Sequence, residues 1–117
     1  MIIFYQYPKC TTCKRAKAEL DELGWNYEAI DIKANPPKAE ELKKWIGDSG
    51  GEVKKFFNTL GQSYRALDLK DKIDKISLSE AADLLAADGM LIKRPLLVKD
   101  GKLLQIGYRT PYRNLNL

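Results

Sequence analysis

Two cysteines stand three positions apart in "FYQYPKCTTCKRAKAEL", residues 4–20, and they are the only two among the chain's 117 residues. A Cys-x-x-Cys pair can be a redox couple, half of a metal site, or two thiols that pack as small apolar side chains. The chain has no histidine, which removes imidazole from any acid–base scheme and leaves Cys10, Cys13 and carboxylates as the available metal ligands. A closed structural zinc site takes four Cys or His ligands, so no metal site is expected. Thiol chemistry is the reading that these residue types favour.

A thiol attacks as its thiolate, and with an ordinary pKa near about 8.5 most free cysteine is protonated at neutral pH. Cys10 is expected just ahead of a helix, where unpaired backbone N–H groups and the positive dipole end stabilise an anion, with Lys9, Lys14 and Arg15 adding positive potential. Cys10 is therefore the predicted nucleophile. Cys13 would lie in the first turn, more shielded but within reach of the Cys10 sulfur, which suits a resolving thiol. Thr11 and Thr12 keep the turn short and polar, and one of them is expected to cap the helix.

The surrounding pattern supplies the elements that must hold this pair. An apolar run at residues 2–5, a helical segment from about 13 to 23 and an alternating stretch at 27–32 make a βαβ pattern, with Ala16, Leu20 and Leu23 on one helix face and Gly24 just past its end. From 35 to 89 the chain reads as helical and polar. Asn35 is an N-cap candidate ahead of Pro36 and Pro37; Leu42, Trp45 and Ile46 supply a buried face; Gly50 and Gly51 interrupt it; Val53, Phe56 and Phe57 follow on one side. Ser77-Leu78-Ser79-Glu80 has capping-box spacing and opens a helix with Ala81, Leu84 and Leu85, closed by Gly89. Apolar runs at 96–98 and 103–106 flank Asp100-Gly101, a tight-hairpin signal, and Thr110-Pro111 could open a last short helix.

The order β, α, β, helical block, β, β predicts an α/β thioredoxin-like (glutaredoxin-like) mixed sheet, its first two strands parallel and its last two antiparallel. The helical region at about 35–90 would be inserted into a single domain spanning 1–117. Lys93-Arg94-Pro95 would then lie in a loop facing the cysteine helix, where a guanidinium from Arg94 would lower the Cys10 pKa. Lys9, Thr11, Thr12 and Pro95 are the candidate substrate-binding positions beside Cys10, Cys13 and Arg94.

With 44% apolar and 31% charged residues, the composition is that of an ordinary globular domain, and the net charge of +4 fits a solvated surface. No secretory leader pattern precedes Ile2-Ile3-Phe4-Tyr5, and no apolar run approaches the roughly 20 residues of a membrane span. A cytoplasmic, membrane-free monomer is expected. Basic residues Lys93, Arg94, Arg109 and Arg113 come without a DNA-reading motif, so direct DNA binding is not expected.

The segments "YPKCTTCKRAKAEL", "NPPKAEELKKWI", "KKFFNTLGQSYRALDL" and "LIKRPLLVKDGKLLQIGYR" together resemble, over essentially the whole chain, the family that joins glutaredoxin-coupled arsenate reductases (ArsC) to the Spx and MgsR regulators. The resemblance implies a thioredoxin-like fold with an inserted helical region, aligns Cys10 with the arsenate-reductase nucleophile, and matches Arg94 to one arginine of the oxyanion cradle. Two further cradle arginines of that pattern have no counterpart. Asn58 stands in "FFNTLG", and Leu104, Gln105 and Ile106 stand in "LLQIGY", with Arg109 displaced. At about 1.5–3 kcal/mol for each hydrogen bond to a charged group, two missing contacts weigh against arsenate. Cys13 instead gives the Cys-x-x-Cys arrangement that Spx-type regulators use as a switch, and the length is that of short, uncharacterised members.

Three readings follow. The first is a thiol–disulfide oxidoreductase in which Cys10 attacks, Cys13 resolves, and glutathione, glutaredoxin or thioredoxin restores the dithiol. In the second, a Cys10–Cys13 disulfide controls binding to the C-terminal domain of the RNA polymerase α subunit. The third is arsenate reduction.

Overall fold

The computed structural model describes residues 1–115; Asn116 and Leu117, the last positions of the domain read from the sequence, lie outside the described residues. The described chain divides into two compact units, one formed by 1–31 with the segment from 94 onward, the other by 32–93. No helix among the described residues is long and apolar enough to cross a membrane.

The first unit holds the sheet. Strand β1 (Ile2–Gln6) lies between β2 (Tyr27–Asp31), parallel to it, and β3 (Leu96–Lys99), antiparallel to it; β4 (Lys102–Ile106) pairs antiparallel with β3, giving the order β2-β1-β3-β4. A parallel neighbour requires a crossover, and helix α1 (Thr11–Leu23) is that crossover. This is the thioredoxin-like mixed sheet expected from the sequence. The β3–β4 turn has Asp100 at φ 50° and Gly101 at φ 81°, both left-handed as a two-residue hairpin of this hand requires.

Helix α1 starts two residues earlier than its apolar periodicity indicated, and ends as expected on Gly24 at φ 69°, whose N–H donates to the Asp21 carbonyl at 3.2 Å. Its Ala16 and Leu20 pack with Phe4, Leu97 and Tyr112 in the sheet unit's core. Phe4 meets Tyr27 and Tyr112 edge to face, with centroids 5.9 and 6.5 Å apart.

One charged side chain enters this interior. Glu19 is 5% exposed. Its carboxylate accepts from the Tyr108 hydroxyl at 2.7 Å, the Arg113 Nε at 2.7 Å, and the backbone N–H groups of Tyr112 and Arg113. Burial alone would raise the carboxyl's pKa, but these donors outweigh it and bring it down to about 2. The same bonds tie α1 to the 3-10 turn at Tyr112–Asn114, where the sequence suggested a short final helix.

In the second unit, helices α2 (Ala39–Asp48) and α4 (Leu78–Ala87) pack together, with α3 (Gln62–Ala66) and 3-10 turns at Val53–Phe56, Leu69–Asp71 and Gly89–Leu91. Leu42, Trp45 and Ile46 are buried as expected. Ser77 and Glu80 form the expected capping box: the Ser77 hydroxyl accepts from the Glu80 N–H and the Glu80 carboxylate from the Ser77 N–H, both at 3.1 Å.

Two expectations need correction. Asn35 is not the N-cap of α2; that position is Lys38, whose N–H donates to the Glu41 carboxylate at 3.2 Å. A residue before proline is pushed out of the helical region, and Pro36-Pro37 imposes this twice. Gly89 does not cap α4 in a left-handed conformation either. Asp88 ends the helix, its Oδ1 accepting from the Met90 N–H at 2.9 Å, and Gly89 is needed for a close approach, since a Cβ there would lie 1.8 Å from the Ile32 carbonyl oxygen.

Gly89→Ala should therefore cost about 1–3 kcal/mol or more in urea unfolding, whereas Gly47→Ala, in α2 with open space around the new methyl, should stabilise by about 0.5–1 kcal/mol. Glu19 sets a second expectation. With its folded pKa near 2 and its ordinary value near 4.5, its stabilisation is complete above about pH 4.5 and disappears as pH falls through 2, a loss of about 3 kcal/mol. Denaturation followed across that range should be steeper in pH for the wild type than for Glu19→Gln, which starts less stable.

Candidate functional site

Strand β1 runs out at Gln6, and the chain turns through Tyr7-Pro8-Lys9 into α1 with Cys10 at its N-cap, in extended backbone at φ −83°, ψ 122°. The turn is closed by the Cys10 N–H donating to the Tyr7 carbonyl at 2.9 Å, and the helix opens with the Lys14 N–H donating to the Cys10 carbonyl at 3.0 Å. Cys10 is half-buried and Cys13 is fully buried; both are free thiols. Thr11 and Thr12 are the first two helical residues, so neither caps the helix as expected; Thr11 is exposed and Thr12 half-buried. With cysteine at the N-cap, the helix start is left to accommodate a sulfur anion.

The two thiols hydrogen-bond each other, yet their proton affinities diverge. At Cys10, burial pushes the pKa up, but the Cys13 backbone N–H, the Cys13 thiol, and then the Arg94 guanidinium by hydrogen bond and charge outweigh it, so the thiol falls below its ordinary value. At Cys13, burial dominates. A backbone hydrogen bond from Tyr7 works against it, but the thiolate next door adds to it, and the Cys13 thiol is pushed up to about 12. A pair ionising in this order has one sulfur that becomes the attacking thiolate first and one held as a thiol.

Arg94 reaches this site from the entrance to β3. The Arg94–Pro95 peptide bond is cis, Pro95 is buried, and its carbonyl accepts from the Gly107 N–H at 2.8 Å. The guanidinium carbon lies 5.5 Å from the centroid of the Tyr7 ring. The positive charge at the thiolate is thus Arg94. Arg15, expected to contribute, is drawn over the Tyr108 ring instead, 5.6 Å from its centroid. Lys9 is exposed on the turn.

In the segment where the resemblance implied a further cradle arginine, Gln105 is turned to its own loop. Its Oε1 accepts from the N–H groups of Arg109 and Thr110 at 2.6 and 3.1 Å, and its Nε2 donates to the Thr110 carbonyl at 3.3 Å. The Arg109 side chain is exposed. Among the described residues, no group of three or more His, Cys, Asp or Glu side chains could hold a metal ion.

Sequence reasoning brought Cys10, Cys13, Arg94 and Pro95 forward, noted Gln105 without its task, and missed Tyr7 and Glu19. Tyr7 lies just past the apolar run at 2–5 with no signal of its own, and Glu19 reads as one more charge on a helix surface. Neither position reveals its partner, because each partner is some 90 residues away in sequence.

The sequence model described as the ArsC family matches residues 5–114. A crystal structure from Streptococcus mutans described as that of a possible arsenate reductase is 68% identical in sequence, covers 97% of this chain with 96% of its own, and superposes with a TM-score of 0.95. The uncharacterized protein YusI of Bacillus subtilis is 49% identical over 108 residues, 92% of this chain and 91% of YusI. The global transcriptional regulator Spx of Lactiplantibacillus plantarum is 29% identical over 108 residues, 92% of this chain and 80% of Spx.

Replacing Arg94 by Met should raise the pH at which Cys10 reacts half-maximally with iodoacetamide, with Arg94→Lys between the two, while Cys13 stays unreactive throughout. An unchanged profile in Arg94→Met would leave the Cys13 N–H at the helix start and the Cys13 thiol as the groups that stabilise the thiolate.

Proposed function

This chain belongs to the ArsC family, and from that premise we propose that it is a thiol–disulfide oxidoreductase with Cys10 as nucleophile and Cys13 as resolving thiol. The observation that carries the reading is the polarised pair: a half-buried thiol stabilised as an anion, in contact with a buried thiol held protonated. The Cys10 thiolate attacks one sulfur of a substrate disulfide, forming a mixed disulfide and expelling the other sulfur as a thiolate. Cys13 then loses its proton and attacks the Cys10 sulfur. The Cys10–Cys13 disulfide forms and the second substrate sulfur leaves reduced. Two electrons have passed to the substrate, and a cytoplasmic thiol reductant, glutathione, glutaredoxin or thioredoxin, returns them. Lys9, Thr11, Thr12 and the Pro95 region border the path by which the substrate sulfur approaches.

Sulfur substrates are favoured over arsenate because the guanidinium at Cys10 comes from Arg94, while Gln105 is bound into the 105–110 loop rather than offered to an oxyanion. The Spx relative supports a second reading, in which the same disulfide acts as a switch on a surface presented to the α subunit of RNA polymerase.

Incubation of the reduced protein with a glutathionylated peptide tests the first reading. Wild type should turn over with a thiol reductant, at a rate that rises with pH to half-maximum below the ordinary thiol value near about 8.5. Cys10→Ser should be inactive, and Cys13→Ser should stall as a Cys10–glutathione adduct visible by intact mass. Rapid Cys10–Cys13 oxidation without turnover, together with redox-dependent retention of the purified C-terminal domain of the polymerase α subunit, would replace the enzyme by the switch; turnover of arsenate would overturn the preference for sulfur.

A further inference from the structure

The antiparallel pairing of β1 and β3 ends at Tyr5 and Leu96, with Tyr7 two residues past the first and Arg94 two residues before the second. There the guanidinium lies over the Tyr7 ring, 5.5 Å from its centroid. The Tyr7 carbonyl also accepts the Cys10 N–H at 2.9 Å, and Tyr7's backbone hydrogen-bonds the Cys13 sulfur. A single residue therefore touches the arginine and both cysteines.

These contacts divide by type. Those to the cysteines use the backbone and would survive any side-chain change, whereas the contact to Arg94 uses the ring alone. An arginine side chain has several rotatable bonds, and its planar head acts on a sulfur only when aimed at it. A ring face supplies what aims it, because the aromatic quadrupole attracts a cation while leaving the N–H groups at the guanidinium edge to make hydrogen bonds. The charged and titratable groups that face the Cys10 sulfur are Cys13 from α1 and Arg94 from the entrance to β3, so the direction of Arg94 is the variable by which a neighbour could tune this thiol.

We propose that Tyr7 is a positioning residue for the thiol pair, its ring holding the Arg94 guanidinium at the Cys10 sulfur. It acts through Arg94 and makes no chemical step of its own, and its hydroxyl is not required. The inference rests on Cys10 being the attacking thiol of the reaction proposed above. Its test follows that thiol with a small alkylating agent, so that a failure of Tyr7 to matter is distinguishable from a failure of Cys10 to turn over substrate.

The experiment measures the pH dependence of iodoacetamide reaction at Cys10 in wild type, Tyr7→Phe, Tyr7→Leu, Arg94→Met and the Tyr7→Leu/Arg94→Met double variant, with folding checked by circular dichroism. Tyr7→Phe keeps the ring face and should follow wild type. Tyr7→Leu should slow alkylation about two- to fivefold at neutral pH, the range expected for loss of one cation–π contact, and move the profile to higher pH. In the Arg94→Met background the same change should have no further effect, because the interaction it removes is already gone. Should Tyr7→Leu fail to fold, pentafluorophenylalanine at position 7 preserves the ring's shape while reversing its quadrupole, and should behave as Leu was expected to. An effect of Tyr7→Leu that persists without Arg94, or a fluorinated ring that behaves as Phe does, would overturn the proposal.

Discussion

The sheet-bearing unit depends on where α1 lies, and the carboxylate of Glu19 fixes it. A charge taken out of water is expensive unless its lone pairs are satisfied, and here the hydroxyl of Tyr108, the Nε of Arg113 and two backbone N–H groups satisfy them. The donors all come from residues 108–113, so the bond network joins the middle of the first helix to the far end of the chain. It also sets two aromatic rings: Tyr108, which takes the Arg15 guanidinium over its face, and Tyr112, which is fully buried against Phe4 and stands 5.0 Å from Tyr108 between centroids. A helix held at its centre in this way has its first turn fixed against the sheet. The first turn carries both sulfurs.

From that constraint the difference between the two thiols follows with little more. Cys10 and Cys13 are chemically identical and nearly adjacent, so what separates them is depth and company. Cys10, at the N-cap, is half-exposed and meets the Cys13 N–H and Arg94; Cys13, one turn in, has its side chain in the interior with Ala16 and Leu20 following on the same face. Desolvation penalises a thiolate in both places, but only at Cys10 do donors and charge exceed the penalty.

Legibility in the sequence followed the range of the interaction that made each feature. The βαβ unit, the Asp100-Gly101 hairpin and the Ser77 capping box rest on contacts within a few residues, and the pattern announced them. The Cys10–Cys13 pair was legible for the same reason. Where a local signal competed with a longer one, the reading slipped: Pro36-Pro37 looked like a helix start until the restriction on the preceding residue is counted twice, and Gly89 looked like a cap because nothing nearby shows that the Ile32 carbonyl occupies the space of its missing side chain. Arg94 was found because its neighbour is proline and the architecture was already in hand. Tyr7 and Glu19 were not, since a tyrosine just past a strand and a helix glutamate have no distinguishing pattern until the returning chain supplies their partners.

The arrangement also gives the pair an order of events. Part of what keeps Cys13 protonated is the negative charge on Cys10 and the hydrogen bond between the two sulfurs. A mixed disulfide at Cys10 removes that charge and that acceptor together, while the backbone donor from Tyr7 and the field of Arg94, both of which favour a Cys13 thiolate, remain. In the proposed reaction, formation of the first bond therefore eases ionisation of the second thiol just before its attack. Before that moment the burial of Cys13 protects it from oxidants that reach Cys10. Desolvation at Cys13 still opposes its ionisation, so in the proposed reaction the second attack has more to overcome than the first.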